Sequence, residues 1–221
     1  MAWSKQTALT RIREVGLIPI LRTASTEDAW RAAAAVLSTG IGIIEITMGV
    51  PNAFALIERI VERYGDTVLP GVGTVLDRDT CRAAIAAGAE FIVAPNFDPH
   101  VVDTARQANK TCIPGALTPT EVVRAWQAGA DMVKIFPCGA MGGPAYIKAL
   151  KGPFPHIDFV ATGGVTVASV AEFIAAGVAA LGVGGDLLAG RALEQGGPDL
   201  VRANTLALLD AVRSARNSRR R

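Results

Sequence analysis

Thr118-Pro-Thr-Glu-Val-Val-Arg-Ala-Trp-Gln-Ala-Gly-Ala-Asp-Met-Val-Lys-Ile-Phe-Pro137 holds one complete structural period of the chain. Its first four residues, Thr118 to Glu121, carry N-cap chemistry, and the segment behind them predicts an amphipathic helix over 118–128. Gly129 suits the left-handed stop of that helix. Met132–Phe136 then forms a short apolar run that predicts a buried strand. One residue breaks the pattern, Lys134, whose flanking neighbours are Val133 and Ile135. A lone ammonium is costly to bury, and burial lowers the pKa of an amine toward a nucleophilic, uncharged form.

The same period repeats outward in both directions. Short apolar runs at Leu17–Leu21, Ile41–Thr47, Val68–Gly73, Glu90–Ala94, Thr111–Pro114, Met132–Phe136, Phe159–Thr162 and Ala180–Gly184 predict strands. Helical patterns fall near 26–39, 52–64, 78–87, 99–109, 118–128, 143–150, 166–176 and 198–215. Ser25 and Thr26 before Glu27 mark another helix start, and Gly40, Gly65, Gly88, Gly129 and Gly177 mark helix ends. An Ala-Gly-Ala or Ala-Gly-Val phrase recurs at 87–89, 128–130 and 176–178, at the same helix-to-strand turn. Alternating helices and continuously apolar strands predict a parallel sheet covered on both faces. Eight such units predict an α/β fold, a (β/α)8 TIM barrel, with the segment 4–15 as an extra N-terminal helix closing its bottom. An open doubly wound sheet is the rival, but no G-x-G-x-x-G opens the first unit. No linker or low-complexity block divides 1–221, which reads as a single barrel domain.

Composition narrows the function. The 221 residues are 50% hydrophobic, with a formal net charge of +2 and 5% aromatics. Nothing there points to nucleic acid or to an acidic membrane surface. Cys81, Cys112 and Cys138 are scattered, without a C-x-x-C pair, which fits a reducing cytoplasm. The start, Met-Ala-Trp-Ser-Lys-Gln, lacks the apolar core of a signal peptide. The apolar stretch Val167–Gly185 carries Glu172 and several glycines and reads as helix then strand, not as a membrane span. Basic residues from Arg213 to Arg221 read as a frayed, solvated tail.

In such a barrel the working groups sit at the C-terminal strand ends. Collecting those positions gives Arg22, Glu45, Thr47, Thr74, Pro95, Asn96, Gly115, Lys134, Thr162 and Gly184. A buried Glu45–Lys134 ion pair that merely holds the barrel is the structural alternative to chemistry, but such pairs seldom outdo apolar packing in stability. Gly163-Gly164 and Gly184-Gly185 follow the last two strands, where bare N–H groups at a helix start suit an anion. Asp186 would repel that anion unless it caps the short helix. His100 and His156 lack ligand-spaced partners, so no metal is expected. Trp3, Trp30 and Trp126 read as packing, Cys138 as a half-buried filler, and Asp131 as a solvent-facing or capping acid.

With these residues in hand, the chain resembles the class I aldolases that cleave 2-keto-3-deoxy-6-phosphogluconate (KDPG) or 4-hydroxy-2-oxoglutarate (KHG). The phrases that carry the resemblance are Ile18-Pro-Ile-Leu-Arg22, Gly40-Ile-Gly-Ile-Ile-Glu-Ile-Thr47, Gly71-Val-Gly-Thr-Val-Leu76, Ile113-Pro-Gly115, Val133-Lys-Ile-Phe-Pro137, Ala161-Thr-Gly-Gly-Val165 and Gly143-Pro-Ala-Tyr-Ile-Lys-Ala-Leu-Lys-Gly152. It implies Lys134 as the Schiff-base lysine and Glu45 as the acid/base. Thr74 would stand near the pyruvyl carboxylate, with Pro95, Phe136 and Thr162 shaping the pocket. Gly163, Gly164, Gly184 and Gly185 would hold a distal phosphate. It also implies a small-molecule keto-acid substrate, no cofactor, and a homotrimer. Two positions depart from the family pattern. Gly49 stands where most relatives place an Arg for the keto-acid carboxylate, and Arg22 then takes that role, as in the branch acting on 2-keto-3-deoxy-6-phosphogalactonate. Gly185 stands where many relatives have a Ser that donates to phosphate. A phosphosugar isomerase or epimerase without a metal, and a non-catalytic sugar-acid sensor, are the competing readings.

Overall fold

A computed structural model of the chain describes residues 3–188, 193 and 197–219. Nine parallel strands form one sheet: β1 (Leu17–Leu21), β2 (Ile43–Thr47), β3 (Leu69–Gly73), β4 (Phe91–Val93), β5 (Thr111–Ile113), β6 (Gly115–Ala116), β7 (Val133–Ile135), β8 (Phe159–Thr162) and β9 (Ala180–Val183). In space they run β5-β4-β3-β2-β1-β9-β8-β7-β6. The sequence predicts a single strand over 111–114; the structure breaks that stave at Pro114, which has no N–H for the ladder. The barrel closes at the break: Asp131 N–H donates to Cys112 O at 3.0 Å and Lys134 N–H to Pro114 O at 2.9 Å. The result is the eight-stave parallel barrel that the repeating period predicts, its fifth stave made of β5 and β6.

The staves are covered by α2 (Thr26–Leu37), α3 (Ala53–Tyr64), α4 (Arg78–Ala86), α5 (Pro99–Gln107), α6 (Pro119–Gln127), α7 (Pro144–Lys151), α8 (Val170–Ala176) and α9 (Gly197–Arg219), with α1 (Lys5–Val15) preceding β1. Local chemistry sets their ends. The Ser25 side chain accepts from Asp28 N–H, and Thr118 with Glu121 forms a reciprocal capping box. Gly40, Gly65, Gly88, Gly129 and Gly177 stand at φ from 53° to 104°, the left-handed turn that returns each helix to the sheet. Helix α1 is tied to residues that precede strands, at the N-terminal end of the barrel. Lys5 pairs with Asp131 at 2.8 Å and Arg13 with Asp158 at 2.8 Å. Asp131 also accepts from Cys112 N–H at 2.9 Å, so it braces that end and does not simply face solvent.

The basic C-terminus differs from the solvated tail read from its charge. Helix α9 runs through it, and Arg216 donates to Glu14 O at 2.6 Å and to Ala179 O at 3.0 Å. Carbonyls at the end of α1 and before β9 thus find a donor that local sequence reading cannot supply. Arg220 and Arg221 lie outside the described residues. Val167–Gly185 resolves into a 3-10 turn at Val167–Ser169, then α8 and β9. Among the described residues no helix is long and apolar enough to cross a membrane.

The barrel interior is filled by a row in register across five staves: Ile20, Glu45, Gly71, Phe91 and Thr111. Phe91 is fully buried, and a Cβ on Gly71 would overlap its ring. Gly71→Ala is therefore expected to lose about 1–3 kcal/mol through overpacking. Phe91→Leu in the same chain should recover part of that loss, so that urea unfolding gives a double mutant less damaged than the two single losses added. Strict additivity would show that the two positions do not compete for one space.

Candidate active site

Alternation along β2 sends Ile44 and Ile46 to the helical layer and turns Glu45 and Thr47 inward, toward the C-terminal mouth of the barrel. Glu45 is only 2% exposed. Its carboxylate fits because Gly73, on the neighbouring stave, has no side chain; a Cβ there would overlap it. In β7 the same alternation buries Val133 and Ile135 and points Lys134 inward, where it is 7% exposed. The Lys134 ammonium lies 4.9 Å from the centroid of the Phe136 ring. Among the described residues no ion pair joins Glu45 to Lys134, so the structural alternative of a closed buried pair is not what the barrel holds.

Burial dominates the electrostatics of both groups. It holds the Lys134 amine below the usual lysine range; the Glu45 charge opposes that shift, and the Arg22 charge adds to it. It pushes the Glu45 carboxyl above the usual carboxylate range, against the pull of Lys134 and Arg22. An amine that gives up its proton easily thus faces a carboxyl that takes one easily.

Arg22, one residue beyond β1, reaches across β2. Its Nη2 donates to Thr74 Oγ1 at 3.3 Å. Its Cγ and Nη1 lie 4.0 Å from the point where a Cβ on Gly49 would stand, so Arg22 fills the space a side chain at 49 would enter. Thr74 has φ 64°, unusual for a β-branched residue. Such a conformation costs about 1–3 kcal/mol and persists where surrounding structure holds it. Thr47 Oγ1 donates to Leu21 O at 3.1 Å, which fixes the end of β1 from which Arg22 departs.

A cavity of about 520 Å³ opens here, and Arg22, Glu45, Thr74, Pro95, Lys134, Phe136, Thr162, Gly163, Gly164, Gly184 and Gly185 all line it. It also takes in Ile20, Thr47, Val165, Thr166, Gly182, Val183 and Asp186. Ile20 was legible as the inward partner of Arg22 two positions on. Gly182 gives way to Thr162 as Gly73 does to Glu45, since a Cβ there would stand 2.5 Å from Thr162 Oγ1. Asn96 and Gly115, also at strand tops, stay outside the lining: Gly115 is bare because the Pro95–Asn96 backbone packs onto it. A wider groove of about 680 Å³ at the opposite end is lined by Arg13, Glu14, Asp158 and Arg216; Arg13 and Asp158 pair with each other there, and Arg216 donates to the Glu14 backbone carbonyl.

The glycine loops have a packing reason of their own. Gly163 and Gly164 are left-handed, and the Gly139 backbone closes onto them, its N–H donating to Gly163 O at 2.8 Å. The 3-10 turn at Val167–Ser169 and then α8 follow. Asp186 caps that turn, its Oδ2 accepting from Val167 N–H at 3.1 Å. Cys138 is a filler, but fully buried where the sequence reading has it half-buried, and burial pushes its thiol up to about 11. His100 contacts Arg78 at 3.0 Å and His156 packs edge-on to Trp126, both away from the cavity.

Because the folded pKa of Glu45 stands above its ordinary 4.5, the folded chain keeps that proton to higher pH than the unfolded chain does. Its contribution to stability is then fully present below pH 4.5 and is lost as pH rises through the folded value. Glu45→Gln, which cannot ionise, should match the wild type in urea unfolding at low pH and exceed it increasingly as pH rises. A gap that does not change with pH would contradict the burial argument.

A family model described as KDPG and KHG aldolase matches residues 9–203. A 2-dehydro-3-deoxy-6-phosphogalactonate aldolase of Escherichia coli (strain K12) is 41% identical over 181 residues, 81% of this chain and 88% of that protein. Among solved structures, one titled native KDPGal superposes with a TM-score of 0.85 at 35% identity, covering 98% of this chain and all of that one. The KDPG aldolase of Legionella pneumophila, with pyruvate captured as a covalent carbinolamine, superposes with a TM-score of 0.83 at 27% identity, over 91% of this chain and 97% of that one. With the barrel and the inward lysine and glutamate already in place, these matches show that the chain belongs to the KDPG and KHG aldolase family.

Proposed function

We propose that this protein is a Schiff-base aldolase that cleaves a 2-keto-3-deoxy sugar acid into pyruvate and an aldehyde, with Lys134 as nucleophile and Glu45 as acid and base. The observation that carries the reading is a buried, easily deprotonated amine facing a buried carboxyl across a cavity, with no ion pair between them. The covalent carbinolamine in the Legionella relative supports the same chemistry.

Neutral Lys134 attacks the C2 carbonyl of the keto acid, and Glu45 relays protons as the carbinolamine loses water. The iminium that results is an electron sink. Glu45 then removes the C4 hydroxyl proton while the C3–C4 bond breaks, and the electron pair moves into an enamine. Protonation of the enamine at C3 and hydrolysis free pyruvate and restore the amine. A carboxyl with a raised pKa suits both directions of this transfer. Arg22, braced by Thr74, offers a guanidinium for the substrate carboxylate. Its place over Gly49 supports the galactonate-type arrangement of the carboxylate site. The reading includes a cytoplasmic homo-oligomer, a trimer by family resemblance.

Borohydride added with pyruvate should attach the mass of a reduced pyruvate adduct to Lys134, and Lys134→Ala should abolish turnover. Labelling at any other lysine would overturn the assignment. Glu45→Gln should lower kcat by about 10²–10⁴-fold, the usual worth of a positioned acid–base group. Arg22→Ala should raise KM roughly ten- to a hundredfold, the range for losing one charged hydrogen-bond partner. Adding Gly49→Arg to that variant should recover part of the loss, because its side chain would enter the space Arg22 vacated; no recovery would argue that Arg22 serves elsewhere.

A further inference from the structure

We propose that Thr47 is a positioning residue for the keto-acid carboxylate: its buried hydroxyl fixes the backbone from which Arg22 departs, and it acts on the substrate through Arg22. This rests on the aldolase reading and specifies how its carboxylate site is held. Strand β2 is buried along its whole length, and apart from Glu45 and Thr47 it consists of isoleucines. Thr47 is 1% exposed and lines the cavity. A hydroxyl buried there costs free energy unless it is hydrogen-bonded, so packing alone would favour valine, which has the same shape. The Thr47 hydroxyl donates to Leu21 O at 3.1 Å, on the neighbouring stave.

That carbonyl belongs to the peptide group joining Leu21 to Arg22. The β1–β2 register ends at the pair Leu21 and Ile46, so the ladder does not reach Arg22. Arg22 is exposed, and the hydrogen bond at its tip, Nη2 to Thr74 Oγ1, is long at 3.3 Å. A long side chain held so lightly keeps many rotamers, and binding a carboxylate must order it at an entropic cost. A fixed base removes part of that cost. The groups meet at one place: the point where a Cβ on Gly49 would stand is 3.7 Å from Thr47 Oγ1 and 4.0 Å from both Cγ and Nη1 of Arg22. Thr47 and Thr74 thus bracket the guanidinium arm, one at its base and one at its tip. Glu45, on the same inward face of β2, is the other group that Thr47 could serve. The hydroxyl proton is committed to Leu21 O, however, which leaves lone pairs but no donor for the carboxyl.

Pyruvate is the probe, because it carries the ketone and the carboxylate and no further tail. The test reads the rate of borohydride trapping on Lys134 against pyruvate concentration. It compares the wild type, Thr47→Val, Thr47→Ser, Arg22→Ala and the double variant Arg22→Ala/Thr47→Val. Thr47→Val should raise the half-saturating pyruvate concentration about three- to tenfold, the worth of one net hydrogen bond, and leave the saturated rate within about twofold of the wild type. Thr47→Ser keeps the hydroxyl and should hold the wild-type value. In the Arg22→Ala background the valine should change half-saturation no further, since no guanidinium is left to position. A half-saturation unmoved by Thr47→Val overturns the proposal, as does a shift that persists in full without Arg22. A saturated rate that falls while half-saturation holds also overturns it and places the hydroxyl with Glu45. A merely structural hydroxyl would lower the urea midpoint in both backgrounds and leave half-saturation where it was. Trapping in the wild type with no effect of Thr47→Val sinks this inference alone, whereas failure to trap in the wild type removes the aldolase reading with it.

Discussion

An eight-stave barrel encloses a volume that side chains must fill, and here the filling is graded along the barrel axis. Phe91 occupies the space left by Gly71. One layer toward the C-terminal mouth, Gly73 leaves its place to the Glu45 carboxylate, and Gly182 leaves its place to Thr162. Bare positions on one stave thus decide what the next stave can project inward. A ring makes a dry floor, and the polar groups stand above it. This division depends on close packing, because an interior with slack would let the carboxylate swing away from the mouth.

The floor also sets the electrostatics. Glu45 and Lys134 are held out of water by the same apolar layer, and desolvation outweighs their mutual attraction for both. A closed ion pair would have quenched both shifts. Fixing the two groups on different staves, β2 and β7, lets both line one open cavity instead of closing on each other. Strained Thr74 and the reach of Arg22 belong together, since the Arg22 guanidinium donates to Thr74 while its side chain passes beside Gly49. The opposite end of the barrel is bound by conventional ties, Lys5 to Asp131, Arg13 to Asp158 and Arg216 to backbone carbonyls. Stability at one end and reactivity at the other are spatially separate, as in barrels generally.

Much of this was legible along the chain. Helix starts such as Thr118–Glu121 and stops such as Gly129 are local devices, and the structure places them where the pattern does. The strands at Leu17–Leu21 and Phe159–Thr162 match to the residue. Illegible features share a cause, namely a partner remote in sequence. That the stave resumes at Gly115 beyond Pro114 depends on β7, whose Lys134 N–H donates to Pro114 O. The basic end of the chain orders because Arg216 finds carbonyls near residues 14 and 179. Asn96 and Gly115 sit at strand tops yet serve backbone packing, which their position in the pattern does not reveal.

The amino-acid sequence alone determined the alternation of helix and strand, the count of staves, and the inward address of Lys134 and Glu45, because periodicity, capping and the cost of burying charge act over a few residues. Only the tertiary structure decided that these two groups share a cavity without pairing, that Arg22 lies over Gly49, and that Asp186 spends one oxygen on Val167. Those relations depend on strand register and side-chain direction between segments up to 89 residues apart, as Glu45 and Lys134 are, and no local pattern encodes a distance across a barrel.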